Sequence, residues 1–302
     1  MASIARFRSG GSIDRQAIDL GPLADLVGVW AGTGFVLTSL PDFDPNPPST
    51  GPKAFRLLLN STIERLEFTP IGGPVPNRGA QLDSDPTKGQ LDIELQGVRY
   101  LQRISDSNSH EALHLEPGFW LNVPATTIPP GDASIVRQGS IPHGTSILLQ
   151  GTSFLSPSGK PVFARADSTP QKDVPNPTPL GPGYLAPFTT TPLPSPFTDR
   201  AVIGNPNLIL ADAIKDFVNQ STETRVLQVS NAPFGGILNV PFLQNNVNNN
   251  AAVRSVNATF WIEGVKPVAG LPFDVLQYTQ TILFNFLGIN WPHITVATLF
   301  RL

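Results

Sequence analysis

Four histidines, His110, His114, His143 and His293, are the whole imidazole inventory of this 302-residue chain. There is no cysteine, which removes disulfides, zinc-thiolate and iron-sulfur sites and thiol nucleophiles together. His293 stands in the run Trp291-Pro292-His293-Ile294-Thr295-Val296-Ala297-Thr298-Leu299-Phe300-Arg301. Strand alternation puts Thr295, Ala297 and Leu299 on its face, a small and mostly apolar set suited to a cavity wall. A neutral imidazole there can ligate iron; the competing reading is a core or rim histidine bonded to a backbone carbonyl. His114 lies in His110-Glu111-Ala112-Leu113-His114-Leu115-Glu116-Pro117-Gly118-Phe119-Trp120, where both strand faces are largely apolar. Placed opposite His293, it would serve as a hydrogen-bond donor or acid/base group toward a ligand. Glu116 shares its face and can orient it; an ordinary surface pair is the alternative. His143, between Pro142 and Gly144, reads as a turn tip.

Other chemistries lack their parts. No Gly-rich strand-to-helix loop offers a phosphate cradle, no Gly-x-Ser-x-Gly elbow occurs, and no clustered His/Asp/Glu set suits zinc or non-haem iron. Charged residues make up only 14% of the chain and its net charge is -3. Nucleic acid is therefore a poor partner. With so few charges in the strands, a buried polar catalytic apparatus of the hydrolase type is not expected.

The elements that must position these residues are mostly strands. Period-two alternation and short apolar runs mark eleven segments: 29–40, 55–68, 90–95, 98–105, 111–123, 134–140, 145–154, 224–230, 255–265, 276–286 and 293–301. Many strands without alternating helices predict an all-β chain, a closed antiparallel β-barrel of about 10–11 strands. Residues 1–302 read as a single barrel domain with an N-terminal tail over 1–18. One short helix is predicted after Asp19, from the spacing of Leu20, Leu23, Ala24 and Val27. A second has Asn205 as N-cap, Pro206 at its first position and the stripe Leu210, Ile214, Phe217. It closes a Pro-rich insertion over 157–222, which holds eleven of the 32 prolines between Pro157 and Pro196 and cannot enter a sheet interior.

If His293 faces inward, Ile294, Val296, Thr298 and Phe300 face outward, and such a stripe needs cover. The second helix and insertion residues such as Tyr184, Leu185, Phe188 and Phe197 are the expected cover; a homodimer interface is the alternative. The N-terminus has no apolar run after Arg8, and Val275 to Trp291 is broken by Gln277, Gln280, Asn285 and Asn290. The expectation is a cytoplasmic protein without a membrane span.

Three segments, taken in order, resemble nitrobindins, haem proteins of the lipocalin and fatty-acid-binding superfold. Leu23 to Phe35 is similar to that family's opening, a short helix leading into a Gly-x-Trp-x-Gly-x-Gly strand (Gly28 to Gly34). Ala112 to Trp120 is similar to its His-x-Glu-x-Gly-aromatic strand, with Pro117-Gly118 as a departure. Leu276 through Pro292-His293 to Leu299 matches its last segment. The resemblance covers about half of the chain and leaves the insertion without a counterpart. It implies haem b held through iron by His293, with Thr33, Trp291 and Leu299 beside the cofactor and His114 on the distal side. It implies nitric oxide binding or peroxynitrite isomerisation. A weak peroxidase would have to rely on His114, since no distal Arg is evident beside it. Two readings of other classes stay open: a metal-free, lipocalin-like carrier of a lipid or other apolar small molecule, and an assembly module filled by its own side chains.

Overall fold

The computed structural model describes residues 18–41, 55–82, 85–141, 144–173, 186–232, 235–239, 252–286 and 288–302. Ten long strands form the barrel: β1 (Gly28–Pro41), β2 (Phe55–Pro70), β3 (Ile93–Asp106), β4 (Ala112–Val123), β5 (Ser134–Ile141), β6 (Thr145–Leu155), β7 (Ser221–Ser230), β8 (Ala252–Val265), β9 (Phe273–Phe286) and β10 (Ile289–Arg301). Each pairs antiparallel with the next, and β10 returns to β1 in the register Trp30↔Arg301 to Thr38↔His293. The closed all-β class holds. The ring has ten strands rather than eleven because 90–95 and 98–105 are not separate: Ile93 to Asp106 runs through Gly97 as one strand.

Inside one end sits a helical plug, Ile18 to Leu26, whose last six residues are a 3₁₀ turn. Leu20, Leu23 and Leu26 pack among Trp30, Trp120, Phe260 and Leu299. Each such buried side chain is worth about 1.5–3 kcal/mol relative to exposure. The Trp30 indole N–H donates to Leu26 O at 2.8 Å. The Arg301 guanidinium lies 4.2 Å from the Trp30 ring centre and donates to Asp25 O at 2.8 Å. These contacts cork this end and leave the free volume at the other.

The described residues between β6 and β7 wrap the outside. Helices α1 (Ala186–Thr190), α2 (Ala201–Gly204) and α3 (Asn207–Ile214) lie there. Val202, Ile203 and Leu210 form a second core with Phe35, Leu37, Trp261, Ile294 and Val296, outward-facing residues of the barrel wall, and Phe188 and Phe197 pack against it. Phe197 meets Phe35 edge-on at 5.1 Å, and Phe163 meets Trp261 at 4.9 Å. Ile294 and Val296 are wholly buried and Thr298 nearly so. The stripe on β10 is therefore covered from within the chain; Phe300, still 40% exposed, is flanked by Phe217 and Phe273. Tyr184 and Leu185 lie outside the described residues. Helix α3 starts at Asn207 with Pro206 as its N-cap residue, one position later than predicted, because the Asn205 side chain accepts the Ala166 N–H at 2.9 Å instead of capping the helix. Among the described residues no helix is long and apolar enough to cross a membrane.

Candidate functional site

His293 enters the barrel near the start of β10, paired with Ile282 on one side and Thr38 on the other. Its Nε2–H donates to Ser39 O at 3.0 Å, and its ring rests against Phe284 at 4.3 Å. Burial holds its pKa down at about 4, against the weaker opposing effect of the Ser39 bond. The imidazole is thus neutral at pH 7, with Nε2 committed and Nδ1 left as the lone-pair nitrogen. The two readings of this residue coincide: it is bonded to a backbone carbonyl, and it stands on a cavity wall.

His114, on β4, lines the same cavity. It lies four strand positions from His293 one way round the ring and six the other, so the two imidazoles come from opposite walls. Its Nε2 is 3.1 Å from Glu116 Oε2. Glu116 is wholly buried; Oε1 accepts from Arg137 Nη2 at 2.7 Å and from the Tyr100 hydroxyl. Burial alone would push this carboxyl up, but Arg137, with His114 and Tyr100, overcomes it and holds the pKa near 2. Arg137, on β5, also donates from Nε to Tyr100 Oη at 3.1 Å and from Nη1 to Gln280 Oε1 at 2.7 Å. Its guanidinium sits 5.4–5.7 Å from the rings of Tyr100, Trp120 and Phe260, contacts that favour a desolvated cation. Beside this group, Thr62 donates to Glu64 Oε1 at 2.9 Å and Gln102 Nε2 to Tyr278 Oη at 2.8 Å, while the Tyr278 hydroxyl donates to Glu64 Oε2. Glu64 is raised to about 7, chiefly by burial.

The cavity above this layer measures about 260 Å³. Its walls are largely apolar, including Ile104, Ile147, Val256, Ile282 and Phe284, and its polar surface comes from the two histidines with Gln102, Tyr278, Gln280 and the threonines Thr38, Thr145 and Thr295. A buried polar network therefore exists despite the scarcity of charges in the strands, and an Arg is linked to His114 through Glu116. The signal was in the alternation. Arg137 shares its strand face with Ile135 and Ile141, and Glu64 shares its face with Leu66 and Phe68, so each charge sits where its second neighbours are core residues. Glycines supply the room: a Cβ on Gly139 would lie 2.6 Å from Tyr100 Oη and 2.7 Å from Glu116 Oε1, and one on Gly34 would lie 2.7 Å from Glu64 Oε1.

Three residues expected beside a cofactor are elsewhere. Thr33 is on the outer face of β1, since alternation turns Trp30, Val36 and Thr38 inward. It lines a separate cavity of about 930 Å³ between the barrel wall and α3. Trp291 packs into the outer core, its indole N–H directed at Phe286 O at 3.4 Å. Leu299 does point inward, but to the plugged end among the inner core residues rather than to the cavity. His110 occupies the β3–β4 turn with a φ of 61°. His143 lies outside the described residues.

No protein-family model matches the sequence, and no curated protein matches it at a significant level. Among solved structures, the crystal structure of Rv2717c from M. tuberculosis is similar, with 12% identity over 94% of this chain and 99% of that chain and a TM-score of 0.41.

Proposed function

We propose that the barrel cavity binds haem b through His293 and runs nitrobindin-like ligand chemistry, nitric oxide binding or peroxynitrite isomerisation, on the side that His114 faces. The observation that supports this reading is the joint presence of His293 and His114 on one apolar cavity. The donor set suits iron: His293 is neutral, and its ring is oriented by the hydrogen bond from Nε2–H to the Ser39 carbonyl, a bond of the kind that orients metal-bound imidazoles. Haem held by His293 would supply iron as the site at which a small ligand binds. The chain's own contribution is orientation and proton control. Glu116, pinned by Arg137 and Tyr100, holds His114 Nε2, and the apolar wall excludes water. Arg137 is already paired and is not part of the cavity lining, which argues against a peroxidase-type use of it.

Haemin titration tests the reading. A Soret band that appears stoichiometrically in the wild-type protein and is lost in His293→Ala, with the far-ultraviolet spectrum unchanged, is the expected result. Full haemin affinity in His293→Ala overturns it. One observation favours a second reading, a metal-free carrier: at about 260 Å³ the cavity lies below the roughly 300–1,000 Å³ usual for ligand pockets, so a porphyrin would protrude from the mouth whereas a short apolar molecule fits within. Absence of any Soret band, together with binding of small apolar compounds, selects this alternative.

A further inference from the structure

The cavity's polar surface is electrically balanced in a way that limits what can dock there. The cation nearest the cavity, Arg137, lies behind Gln280 and gives Nη1 to it and Nη2 to Glu116, both at 2.7 Å. A guanidinium only donates, so the Gln280 oxygen is committed to Arg137, and what this cavity-lining residue has left to offer a ligand is its NH₂ group. Gln102 and Tyr278 line the same space, with Glu64 directly behind Tyr278. An entering carboxylate would thus find one guanidinium already neutralised by Glu116 and a second carboxyl, Glu64, in the same layer. It would shed its hydration where the described residues lining the cavity include no Lys or Arg, a costly transfer. A neutral amide or hydroxyl loses far less and gains the Gln280 N–H.

We propose that this end of the cavity takes the uncharged hydrogen-bonding head of an apolar ligand, an amide or alcohol, and excludes a carboxylate. The inference rests on the cavity being a ligand site and does not depend on iron. Calorimetric titration of the full-length, haem-free protein at pH 8 with octanamide, 1-octanol and octanoate tests it. Octanamide and octanol should bind at least tenfold tighter than octanoate. Glu116→Gln leaves Arg137 without its counter-charge and should reverse the order in favour of octanoate; Gln280→Leu should weaken octanamide at least fivefold. Should Glu116→Gln fail to fold, the wild-type comparison and Gln280→Leu decide alone. Octanoate binding as tightly as octanamide to the wild type overturns the inference and leaves the cavity a ligand site. No binding of any of the three, or binding undiminished when Ile147→Trp fills the cavity, overturns both.

Discussion

Replacing Glu64 with Gln keeps the size and shape of a buried side chain and deletes its titration. The folded-state pKa of Glu64, about 7, stands above the ordinary 4.5 because burial disfavours the carboxylate. Between those values the folded protein holds a proton that the unfolded chain has released, so stability contributed by this group is complete below pH 4.5 and is lost as pH rises through 7. At 1.36 kcal/mol per unit over about 2.5 units, the loss is on the order of 3 kcal/mol. Glu263, also raised to about 7, adds a slope of the same sign, and His293, lowered to about 4, adds one of opposite sign between 4 and 6.5. Both remain in the variant and cancel in the difference. Urea unfolding followed by tryptophan fluorescence from pH 4.5 to 8 should show the wild type losing about 3 kcal/mol more than Glu64→Gln. Parallel curves for the two proteins, or a wild type that gains stability relative to Glu64→Gln as pH rises, would refute the assignment of a buried, proton-holding carboxyl.

Further outcomes follow from single contacts. His293→Ala should lose haemin binding at least a hundredfold while its unfolding midpoint changes little, checked by Soret titration and thermal melts. His114→Ala should leave the Soret band in place and alter the spectra of added ligands; loss of a six-coordinate bis-histidine signature in that variant would instead make His114 a resting ligand. Gly139→Ala puts a methyl group within 2.7 Å of the Tyr100 and Glu116 oxygens and should destabilise the fold by about 1–3 kcal/mol. Leu210→Ala, fully buried where α3 meets the barrel wall, should cost about 2–5 kcal/mol and increase binding of an apolar dye.

The barrel was legible because its strands alternate and its turns are marked by Gly, Pro and Asn; the ends of β1, β4, β5 and β6 differ from the predicted ones by at most one residue. The cover of β10 was legible for the same reason, since an outward Ile294 and Val296 cannot be left in water. The polar layer was missed because charge was counted along the chain and not read by face: Glu64, Glu116, Arg137 and Gln280 come from four strands, and only closure of the ring brings them together. Thr33 was misplaced by following a motif rather than the parity set by Trp30, whose inward orientation sends Thr33 out. Trp291 departs from parity at the end of its strand, where packing against Phe286 and Ile289 in the outer core decides its direction. Nothing local in the sequence reports that.

Among the described residues, the insertion covers one arc of the barrel and makes no cover for the other. Strands β9, β10 and β1 are shielded on the inside by the core and on the outside by α3 and the segments around it. Strands β4 to β6 face solvent directly, with Leu115, Phe119 and Leu148 each more than 40% exposed. Backbone amides on the doubly shielded arc should exchange with solvent most slowly, and local opening should begin on the other. The two histidines ride on opposite arcs, His293 on the stiff one and His114 on the compliant one. A guest larger than the resting space would therefore be accommodated by displacement of the His114 wall, while the Ser39–His293 anchor kept its place.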